Sequence, residues 1–489
     1  MTVSRREFLS VGVAASLAGA VSTAQSASLC KAPTKWDKTY DVIVIGAGGA
    51  GMTAAITARE LGAKVALLEK LSFPGGNTSI AGGGLNAAVE EDYKKAGIED
   101  SPELHAKQTL AAGDYRADPE LVMTLAKGAP ESVKWLKAHG LKFRPGIYQI
   151  YGGLWPRCRN PDGGQRGAAY IKMGVANCEK LGVELLTDHK VTAVIREQPD
   201  SGRVLGVEVE VDGKRQYWRA TKGVVAAAGG FSANAKMCSY FDPRLTKLST
   251  TNLPGATGEV LVAMQDIGAM ATGLDYIQCI PGAAPGYKES ANLHQLIEYA
   301  IFVNKAGKRY VAEDARRDVI RDATLIQDEQ LAFEVADADG YEAMRPSQGD
   351  RNERGLKQGF MWKADTIEEL AKKAKIPADA LKATIDVYNK SVDTKKDEFG
   401  RSAKMLCRKI VKPPFYICPF GMSRHHTMGG VRIDTKAHVL DRQGKIIPGL
   451  FAAGEVTGGI HGSNRVGGNA IADIFTFGRI AGENVVKQK

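Results

Sequence analysis

Short apolar runs that end at glycine-rich turns recur along this chain. The first, residues 42–45, is apolar and β-branched, as expected of a buried strand in a parallel sheet. Residues 52–61 have a helical composition, and a second apolar run follows at 64–68. A similar run lies within 223–232, and another near the C-terminus precedes a further helical segment. Strands and helices that alternate in this way predict an α/β fold.

Residues 365–401 show a different periodicity. Apolar residues recur at helical spacing around Leu370 and again around Leu381, with Pro377 between the two groups. We predict two amphipathic helices here that act as scaffold and carry no site residue.

The turn after the first apolar run reads G-A-G-G-A-G and places Gly46, Gly48 and Gly51 at the spacing G-x-G-x-x-G. In a dinucleotide site the first glycine makes the tight turn, the second lets the backbone approach a pyrophosphate, and the third lets the helix pack against the strand. The helix N-terminus offers free N–H groups to the phosphates. Glu69 follows about 20 residues on, where an acid accepts hydrogen bonds from a ribose. This register predicts a dinucleotide-binding domain and argues against a chance glycine-rich turn.

A second glycine-rich segment, residues 73–88, follows Glu69 and favours FAD over NAD, because flavoproteins use such a segment to enclose FAD. Near the C-terminus, residues 447–459 combine a strand with Gly454 and Glu455, and a helix begins after 467. The two ends of the chain therefore build one nucleotide domain, and the middle of the chain is inserted into it.

Length and charge limit the number of domains and the kinds of partner that the protein can have. The chain has 489 residues, 44% of them hydrophobic, which suffices for two or three domains. The net charge of +10 is spread along the chain without the interleaved aromatic residues of a nucleic-acid strip, so we expect no nucleic-acid partner. The excess positive charge attracts anions or an acidic partner at long range. Alternatively, the basic residues belong to an ordinary solvated surface. After residue 30, no stretch of the sequence is long and apolar enough for a membrane anchor.

The first 30 residues have a pattern of their own. Arg5 and Arg6 precede an uncharged run at 8–21 and small residues at 22–27, which is the order of a twin-arginine export signal. The run is too short and too rich in alanine and glycine to span a bilayer well. A disordered basic tail is the alternative. We predict a signal peptide and linker over 1–30, and a periplasmic location.

The seven cysteines are scattered, and no C-x-x-C pair occurs among them. This excludes a zinc ribbon, a thioredoxin-type motif and C-x-x-C-H haem attachment, and we expect ordinary buried thiols and no metal site. If the protein handles electrons, a separate protein must bring them.

Several motifs together resemble a known family: G-A-G-G-A-G, G-G-N-T, A-G-G-F, R-D-V-I, H-H-T-M-G-G, A-G-E-V-T-G-G and H-G-S-N-R-V-G-G-N-A. They resemble flavoproteins of the fumarate reductase/succinate dehydrogenase type, particularly the soluble periplasmic branch, over essentially all of the chain after the leader. The resemblance implies a Rossmann-like FAD-binding domain in two sequence segments with an inserted, mobile α+β capping domain. We place the first segment at 36–232, the capping domain with a helical extension at 233–423, and the second segment at 424–489.

The resemblance also implies which residues bind FAD. Beside Gly46, Gly48, Gly51 and Glu69 they are Lys70, Gly76, Asn77, Thr78, Gly83, Gly84, Gly229, Gly230, Glu455, Asn469, Ala470 and Ile471. In membrane-bound members a histidine in the G-G-N-T region is linked covalently to FAD, whereas this chain has Asn77 there. We therefore expect FAD to be held non-covalently.

The reaction that the family implies is reduction of a C=C bond conjugated to a carboxylate, with a hydride from the flavin and a proton from the opposite face. Arg465 resembles the arginine that grips the carboxylate, and His425 matches the second carboxylate donor. Arg317 resembles the proton-donating arginine. An isolated guanidinium is a poor acid, so a nearby group must reprotonate it. Arg316 is the alternative donor, and the R-D-V-I context favours Arg317.

One region departs from the family. The family holds the second carboxylate of fumarate with a histidine and a threonine, and relays protons through a glutamate and an arginine. Counted back from Arg317 without a gap, those positions hold Ile280, Asn292, Leu293 and Leu296. A second carboxylate buried there would lack compensation, which predicts a monocarboxylate substrate such as methacrylate, acrylate, or an aryl-acrylate of the cinnamate or urocanate type.

Tyr287, His294 and Glu298 lie in the same stretch as candidates for new contacts or a new proton route, and the sequence selects none of them. Three other functions stay open: a fumarate reductase with a rebuilt second carboxylate site, a dehydrogenase working in the opposite direction, and a flavin-carrying subunit without turnover. The carboxylate grip opposite an acid argues against the last. We expect a c-type cytochrome or similar carrier to supply electrons.

Overall fold

The computed structural model of the protein describes residues 32–150, 152–287, 289–348 and 350–488. The predicted export signal, with Arg5 and Arg6, lies outside the described residues, as does Cys30. The twin-arginine export signal therefore remains a prediction from the sequence.

Strands and helices alternate along the described chain. The strands are β1 Lys38–Ile45, β2 Val65–Leu68, β3 Leu85–Asn86, β4 Cys158–Arg159, β5 Glu184–Leu186, β6 Lys190–Arg196, β7 Val204–Val211, β8 Lys214–Ala226, β9 Ser249–Thr250, β10 Ala271–Thr272, β11 Ile277–Gly282, β12 Ala300–Asn304, β13 Ala332–Ala336, β14 Trp362–Ala364, β15 Phe415–Thr427, β16 Gly430–Arg432, β17 His438–Leu440, β18 Ile446–Ala452 and β19 Thr457–Gly458. The helices are α1 Gly49–Glu60, α2 Gly76–Ile80, α3 Glu90–Lys95, α4 Pro102–Ala112, α5 Pro119–Ala138, α6 Gly167–Leu181, α7 Ala235–Phe241, α8 Glu259–Asp266, α9 Arg317–Leu325, α10 Ala338–Gln348, α11 Arg351–Gln358, α12 Ile367–Ala374, α13 Ala378–Thr394 and α14 Asn469–Lys487.

The largest sheet joins the two ends of the chain. Its main path runs β17-β18-β8-β1-β2-β5, and β7 and β6 extend it from β8. The strands from β18 to β5 are parallel, and β1 lies between β8 and β2. Helix α14, the last helix, packs along α1, the first. The C-terminal part of the chain therefore completes the layer that the N-terminal part begins, and the predicted α/β fold is confirmed.

A second sheet of six strands is built from the middle of the chain. Its order is β11-β15-β13-β12, with β14 and β9 also paired to β15, and its pairs are antiparallel apart from β9 with β15. The long strand β15 continues past residue 424, and β16 and β18 follow it back to the nucleotide-binding layer. The domain limits at residues 232 and 423 stay predictions.

The predicted pair of amphipathic helices is confirmed, and the start of the first helix differs from its prediction. The amphipathic segment forms α12 and α13, separated near Pro377, and Leu370 and Leu381 are fully buried in an apolar cluster beneath the second sheet. Helix α1 begins three residues earlier than predicted, because the glycine loop itself forms the first turn.

Five of the six cysteines in the described part of the chain are buried, and Cys407 is exposed. Helices long and apolar enough to cross a membrane are absent from the described residues.

Candidate active site

The glycine loop joins β1 to α1 as a closely packed turn. Gly46 has φ +98°, and a Cβ there would lie 2.5 Å from the carbonyl oxygen of Ala227. A Cβ on Gly51 would lie 1.8 Å from the carbonyl oxygen of Gly46, so neither position admits a side chain. Gly48 differs, because its Cβ would have no protein atom closer than 3.9 Å and would face an open cleft. The loop is therefore packed on its inner side and open where a ligand would lie.

We call this opening the dinucleotide cleft. Among the predicted residues it is lined by Gly46, Gly48, Glu69, Lys70, Gly76, Asn77, Thr78, Gly229 and Glu455. Helix α1 begins at the cleft without a side-chain cap, so its first turn offers N–H groups and the positive end of the helix dipole. Such a helix start binds phosphate well.

Glu69 lies at the end of β2 and is nearly buried. Its Oε2 accepts a hydrogen bond from the backbone N–H of Ala47 at 3.1 Å, and its Oε1 accepts one from Leu71 at 3.0 Å. Each carboxylate oxygen keeps a lone pair for a further donor, so the group suits the hydroxyls of a ribose. The neighbouring Lys70 donates instead to Thr257 at 2.6 Å and Glu259 at 2.8 Å.

A second opening, the inner cavity, adjoins the dinucleotide cleft and encloses about 720 Å³. Asn77, Thr78, Glu455 and Ile474 line both spaces. The helix start and the ribose acceptor lie in the dinucleotide cleft, and the shared wall makes the inner cavity its neighbour, which suits the two parts of a dinucleotide cofactor. The inner cavity also includes Gly83, Gly84, Ala470 and Ile471 in its wall.

Three predicted residues, Gly51, Gly230 and Asn469, are not in the wall of either space. Gly51 packs the loop, and a Cβ on Gly230 would clash with Thr427 and Glu455. The side chain of Asn469 is fully buried and turned into the core, where it bonds with Asn86, His105 and Thr109. These three residues pack behind the walls of the two spaces and do not line them.

The inner cavity brings together the three residues predicted to act on substrate: Arg317, His425 and Arg465. Arg317 begins α9, His425 lies on β15, and Arg465 lies on the loop before α14. They come from distant parts of the sequence and meet because α9 packs on β11, which pairs with β15.

Gln278 on β11, which no motif in the sequence indicates, joins the two arginines. Its Oε1 accepts hydrogen bonds from Nη1 of Arg317 at 3.1 Å and from Nη2 of Arg465 at 2.9 Å. Its amide nitrogen donates to the carbonyl oxygen of Arg465 at 3.0 Å and to Asn464 at 3.2 Å, which fixes the orientation of the amide. Two cationic groups thus share one neutral oxygen in a buried place, and this arrangement favours an anion beside them.

Burial and the neighbouring charges shift the pKa values of the groups in the inner cavity. Burial and the charge of Arg317 lower the pKa of Arg465 to about 9. Burial and both arginines hold the pKa of His425 well below its usual range, so the imidazole is neutral at pH 7. Its Nδ1 lies 2.7 Å from Oγ1 of Thr251. Burial raises the pKa of Glu455 to about 7, although the backbone N–H of Thr427 donates to it at 2.9 Å.

A chain of amides connects the cofactor loop with His425. The side chain of Asn77 donates to Oδ1 of Asn252 and accepts from the N–H of Leu253 at 2.9 Å. Nδ2 of Asn252 donates to the carbonyl oxygen of His425 at 2.6 Å. The sequence showed no sign of this link, because Asn252 lies in an unremarkable turn far from both motifs.

Arg316 and Arg317 have different environments. Arg316 donates to both oxygens of Asp114, at 2.5 and 2.8 Å, and is also paired with Asp318. Ser463, two residues before Arg465, donates to the same Asp114 at 2.5 Å. Arg316 therefore ties α9 to the surrounding segments, while Arg317 borders the inner cavity.

The positions that depart from the family's pattern fall in two groups. Ile280 and Asn292 line the inner cavity. Leu293 is fully buried in an apolar cluster, and Leu296 packs against the same cluster. His294, one of the three candidates that the sequence left open, also lines the inner cavity.

Comparison with known proteins agrees with this geometry. The family model described as FAD binding domain matches residues 41–471. The chain is 36% identical to an NADH:acrylate oxidoreductase of Vibrio harveyi over 92% of its own length and 50% of the relative's. It is 37% identical to a fumarate reductase (cytochrome) of Shewanella frigidimarina over 95% of its own length and 79% of the relative's. The chain thus spans half the length of the first relative and most of the second.

A third relative is similar in length to this chain. The acrylate reductase flavoprotein subunit of Shewanella woodyi is 34% identical over 98% of this chain and 97% of its own. Among solved structures, an open conformation of a flavocytochrome c3 fumarate reductase matches with a TM-score of 0.78 and 33% identity, over 95% of this chain and 80% of that one. The predictions of FAD as cofactor and of an FAD-dependent oxidoreductase are confirmed. The lining of the dinucleotide cleft suits such a cofactor, and the chain belongs to the FAD binding domain family.

Proposed function

We propose that this protein reduces the C=C bond of an α,β-unsaturated carboxylate, with a monocarboxylate as its substrate. The observation that carries the proposal is the shared hydrogen bond of Arg317 and Arg465 to Gln278, beside His425 and next to the cofactor site. FAD, when bound, supplies the hydride. The residues of the chain bind the carboxylate, orient the double bond and deliver a proton.

Arg465 and His425 are proposed to bind the carboxylate. A guanidinium matches a carboxylate with two parallel hydrogen bonds. A neutral imidazole adds one N–H donor to the carboxylate without adding a further positive charge. As negative charge develops on the substrate during reduction, these donors stabilise it. Burial and then repulsion by Arg317 lower the pKa of Arg465, and an anion between the arginines offsets that repulsion.

Arg317 is proposed to donate the proton to the substrate carbon. It borders the inner cavity, and its partner Gln278 holds it in register with Arg465. Arg316, which carries two acidic partners, is the worse donor because those partners stabilise its proton. The pKa of Arg316 is raised by these hydrogen bonds.

The apolar replacements support a monocarboxylate. Ile280 presents an apolar wall to the inner cavity, and Leu293 is withdrawn into a cluster. A second carboxylate beside Ile280 would lose hydration without gaining a charged partner there.

A fumarate reductase with a rebuilt second site is the second candidate. Arg351 and Arg354 line the inner cavity, so cations are present in its wall. Arg354 is already paired with Glu289 and Asp350, which reduces what it offers to a second carboxylate.

The electron donor, the location and the cofactor linkage belong to the same proposal. We propose a c-type cytochrome or a similar carrier as donor, and one relative is named as a cytochrome fumarate reductase. Export to the periplasm rests on Arg5 and Arg6. Non-covalent FAD rests on Asn77, whose amide is engaged by Asn252 and Leu253 and is not a nucleophile.

The test is anaerobic oxidation of reduced methyl viologen by the purified holoprotein with fumarate, methacrylate, acrylate, cinnamate and urocanate. We expect turnover of at least one monocarboxylate and little turnover of fumarate. Fast turnover of fumarate alone would favour the second candidate. Turnover of none of the five acids would contradict both.

A further inference from the structure

His425 lies at an irregularity in strand β15. Where β15 pairs with β11, His426 lies opposite Gln278 and Arg424 lies opposite Cys279, so His425 between them has no partner residue on β11. An extra residue of this kind is a β-bulge, and a bulge turns its side chain out of the regular alternation of the strand. His425 is partly exposed and borders the inner cavity, whereas its neighbour His426 is buried. The bulge thus gives His425 access to the inner cavity.

The short strand β9 brings a hydroxyl group to one nitrogen of this ring. β9 pairs with β15 in parallel, with Thr250 opposite Arg424, and Thr251 follows directly after β9. Oγ1 of Thr251 lies 2.7 Å from Nδ1 of His425. A hydroxyl group and an imidazole nitrogen can each donate or accept, so the other contacts of Thr251 determine the direction of this hydrogen bond.

The carbonyl oxygen of Arg424 is the other acceptor within reach of the Thr251 hydroxyl, and it is already occupied. It accepts hydrogen bonds from the backbone N–H of Thr251 at 3.0 Å and from the hydroxyl of Thr250 at 3.2 Å. These two donors use both lone pairs of the oxygen. The hydroxyl of Thr251 lies 3.5 Å from the same oxygen, which is much farther than its distance from Nδ1 of His425. The Thr251 hydroxyl therefore donates to Nδ1.

This direction determines the tautomer of His425. Burial and the charges of Arg465 and Arg317 hold the pKa of His425 well below its usual range, so the ring carries one proton at pH 7. Because Nδ1 accepts, that proton is on Nε2. Nε2 is not fully buried and has no hydrogen-bond partner among the residues that the structure describes, so it faces the inner cavity. This tautomer offers an anion an N–H donor, whereas the other would offer it a lone pair.

We infer that Thr251 is a positioning residue, which keeps the proton of His425 on Nε2 and thereby lets the ring donate to the carboxylate of the substrate. The inference rests on the proposed function and adds to it a residue that acts through His425. The amide of Asn252 holds the same bulge by donating to the carbonyl oxygen of His425 at 2.6 Å. Asn252 also accepts from the side chain of Asn77, so the bulge is connected to the loop that is predicted to bind the cofactor.

Thr251→Val keeps the shape of the side chain and removes the hydroxyl. We test its effect on the oxidised holoprotein with whichever of acrylate, methacrylate, cinnamate and urocanate binds the wild type most tightly. The Kd should rise about tenfold, because one hydrogen bond to a charged group is weakened. Thr251→Ser keeps the hydroxyl and should stay within about threefold of the wild type. Titration followed by flavin absorbance measures the Kd without turnover.

The tautomer itself is a readout that a purely structural role of Thr251 would not change. Nitrogen-15 NMR of the holoprotein with labelled histidine reports the protonation of each ring nitrogen, and His425→Gln identifies the signals of His425. In the wild type and in Thr251→Ser we expect a protonated Nε2 and a hydrogen-bonded, unprotonated Nδ1. In Thr251→Val the Nδ1 signal should lose the shift caused by the hydrogen bond, and the second tautomer should become populated.

Thr384→Val is the matched control. Thr384 on α13 donates its hydroxyl to the carbonyl oxygen of Gly307 at 2.7 Å, the same distance, but it lines neither the inner cavity nor the dinucleotide cleft. This variant should keep the Kd and the His425 signals of the wild type. FAD absorbance and the melting temperature of each variant report whether its cofactor and fold are retained.

The outcomes separate this inference from the proposed function. A protonated Nδ1 in the wild type would overturn the inference, and so would a Kd of Thr251→Val within twofold of the wild type. An equal loss of affinity in Thr251→Ser would overturn it as well, because the hydroxyl would then not be the cause. Weaker binding in Thr251→Val alone, with no reduction of any of the four acids by the wild type, would overturn the proposed function and leave the role of Thr251 standing. Binding of none of the four acids would overturn both.

Discussion

Arg317 and Arg465 donate hydrogen bonds to one and the same atom, Oε1 of Gln278, at 3.1 and 2.9 Å. A neutral acceptor holds the two cations close together without cancelling their charge. The site therefore remains attractive to an anion. Had the acceptor been a carboxylate, one of the two positive charges would already be compensated.

Gln278→Glu tests this relationship. The introduced carboxylate would occupy the place between the arginines and repel the carboxylate of the substrate, so we expect KM to rise at least about tenfold. Steady-state kinetics measure the change, and the FAD spectrum shows that the cofactor is retained. Gln278→Leu removes the acceptor without adding charge and serves as the comparison. An unchanged KM in Gln278→Glu would contradict the assigned carboxylate grip.

Arg317→Ala should reduce turnover by roughly 10³-fold while FAD remains bound, since a positioned acid contributes about 10² to 10⁴. Arg316→Ala is the neighbouring control. It removes the contacts with Asp114 and Asp318, and we expect a loss of less than about tenfold because these groups lie near the surface. Single-turnover reoxidation of reduced enzyme by substrate measures the step itself. Arg317→Ala with near-normal turnover would reassign the proton donor.

Gly48→Ala should weaken FAD binding with little effect on folding. Gly48 has φ −81°, which alanine adopts, and the added Cβ meets protein only at 3.9 Å, yet it projects into the dinucleotide cleft. Gly51→Ala is the contrasting variant, because its Cβ would lie 1.8 Å from a backbone oxygen. FAD titration and thermal melts of the two proteins separate the roles. Full FAD affinity in a folded Gly48→Ala protein would argue against the cleft as the pyrophosphate site.

Glu455 predicts a pH dependence of stability in the protein freed of FAD. Its pKa is raised to about 7 by burial, above the value of about 4.5 in the unfolded chain. The folded state therefore binds a proton that the unfolded state releases, and this stabilisation is present below pH 4.5 and lost as the pH rises to 7. Relative to Glu455→Gln, the free energy of unfolding should fall by up to about 3 kcal/mol across that window. Chemical denaturation of both proteins from pH 4.5 to 7.5 measures the difference, and parallel curves would contradict the prediction.

The glycine loop was predictable because its physics is local. The turn at Gly46, the close approach at Gly51 and the acid at Glu69 all lie within one strand-helix-strand unit, so their spacing alone indicates their roles. Gln278 was not predictable in this way. It is 187 residues from Arg465, and only the pairing of β11 with β15 brings it to the site.

His294 and Asn469 also show that spacing along the sequence does not predict the direction of a side chain. His294 was one of three candidates in its stretch, and the orientation of its ring depends on Glu334, 40 residues later on another strand. Asn469 follows the glycine motif at the start of α14, but its side chain turns toward His105 and Thr109 in the core. Spacing along a chain shows that a residue is near a site, whereas the direction of its side chain depends on the packing around it.

The contact between Asp114 and Arg316 has a kinetic consequence. Arg316 adjoins Arg317, and Asp114 also accepts from Ser463, close to Arg465, so one exposed acid connects the segments that carry Arg317 and Arg465. Any displacement of α9 from the cofactor side has to break an ion pair that water and salt reach. Dissolved salt weakens such a pair and so lowers the barrier to that displacement. If a ligand enters by displacing α9, we expect its rate of access to depend on ionic strength, even when the ligand is uncharged.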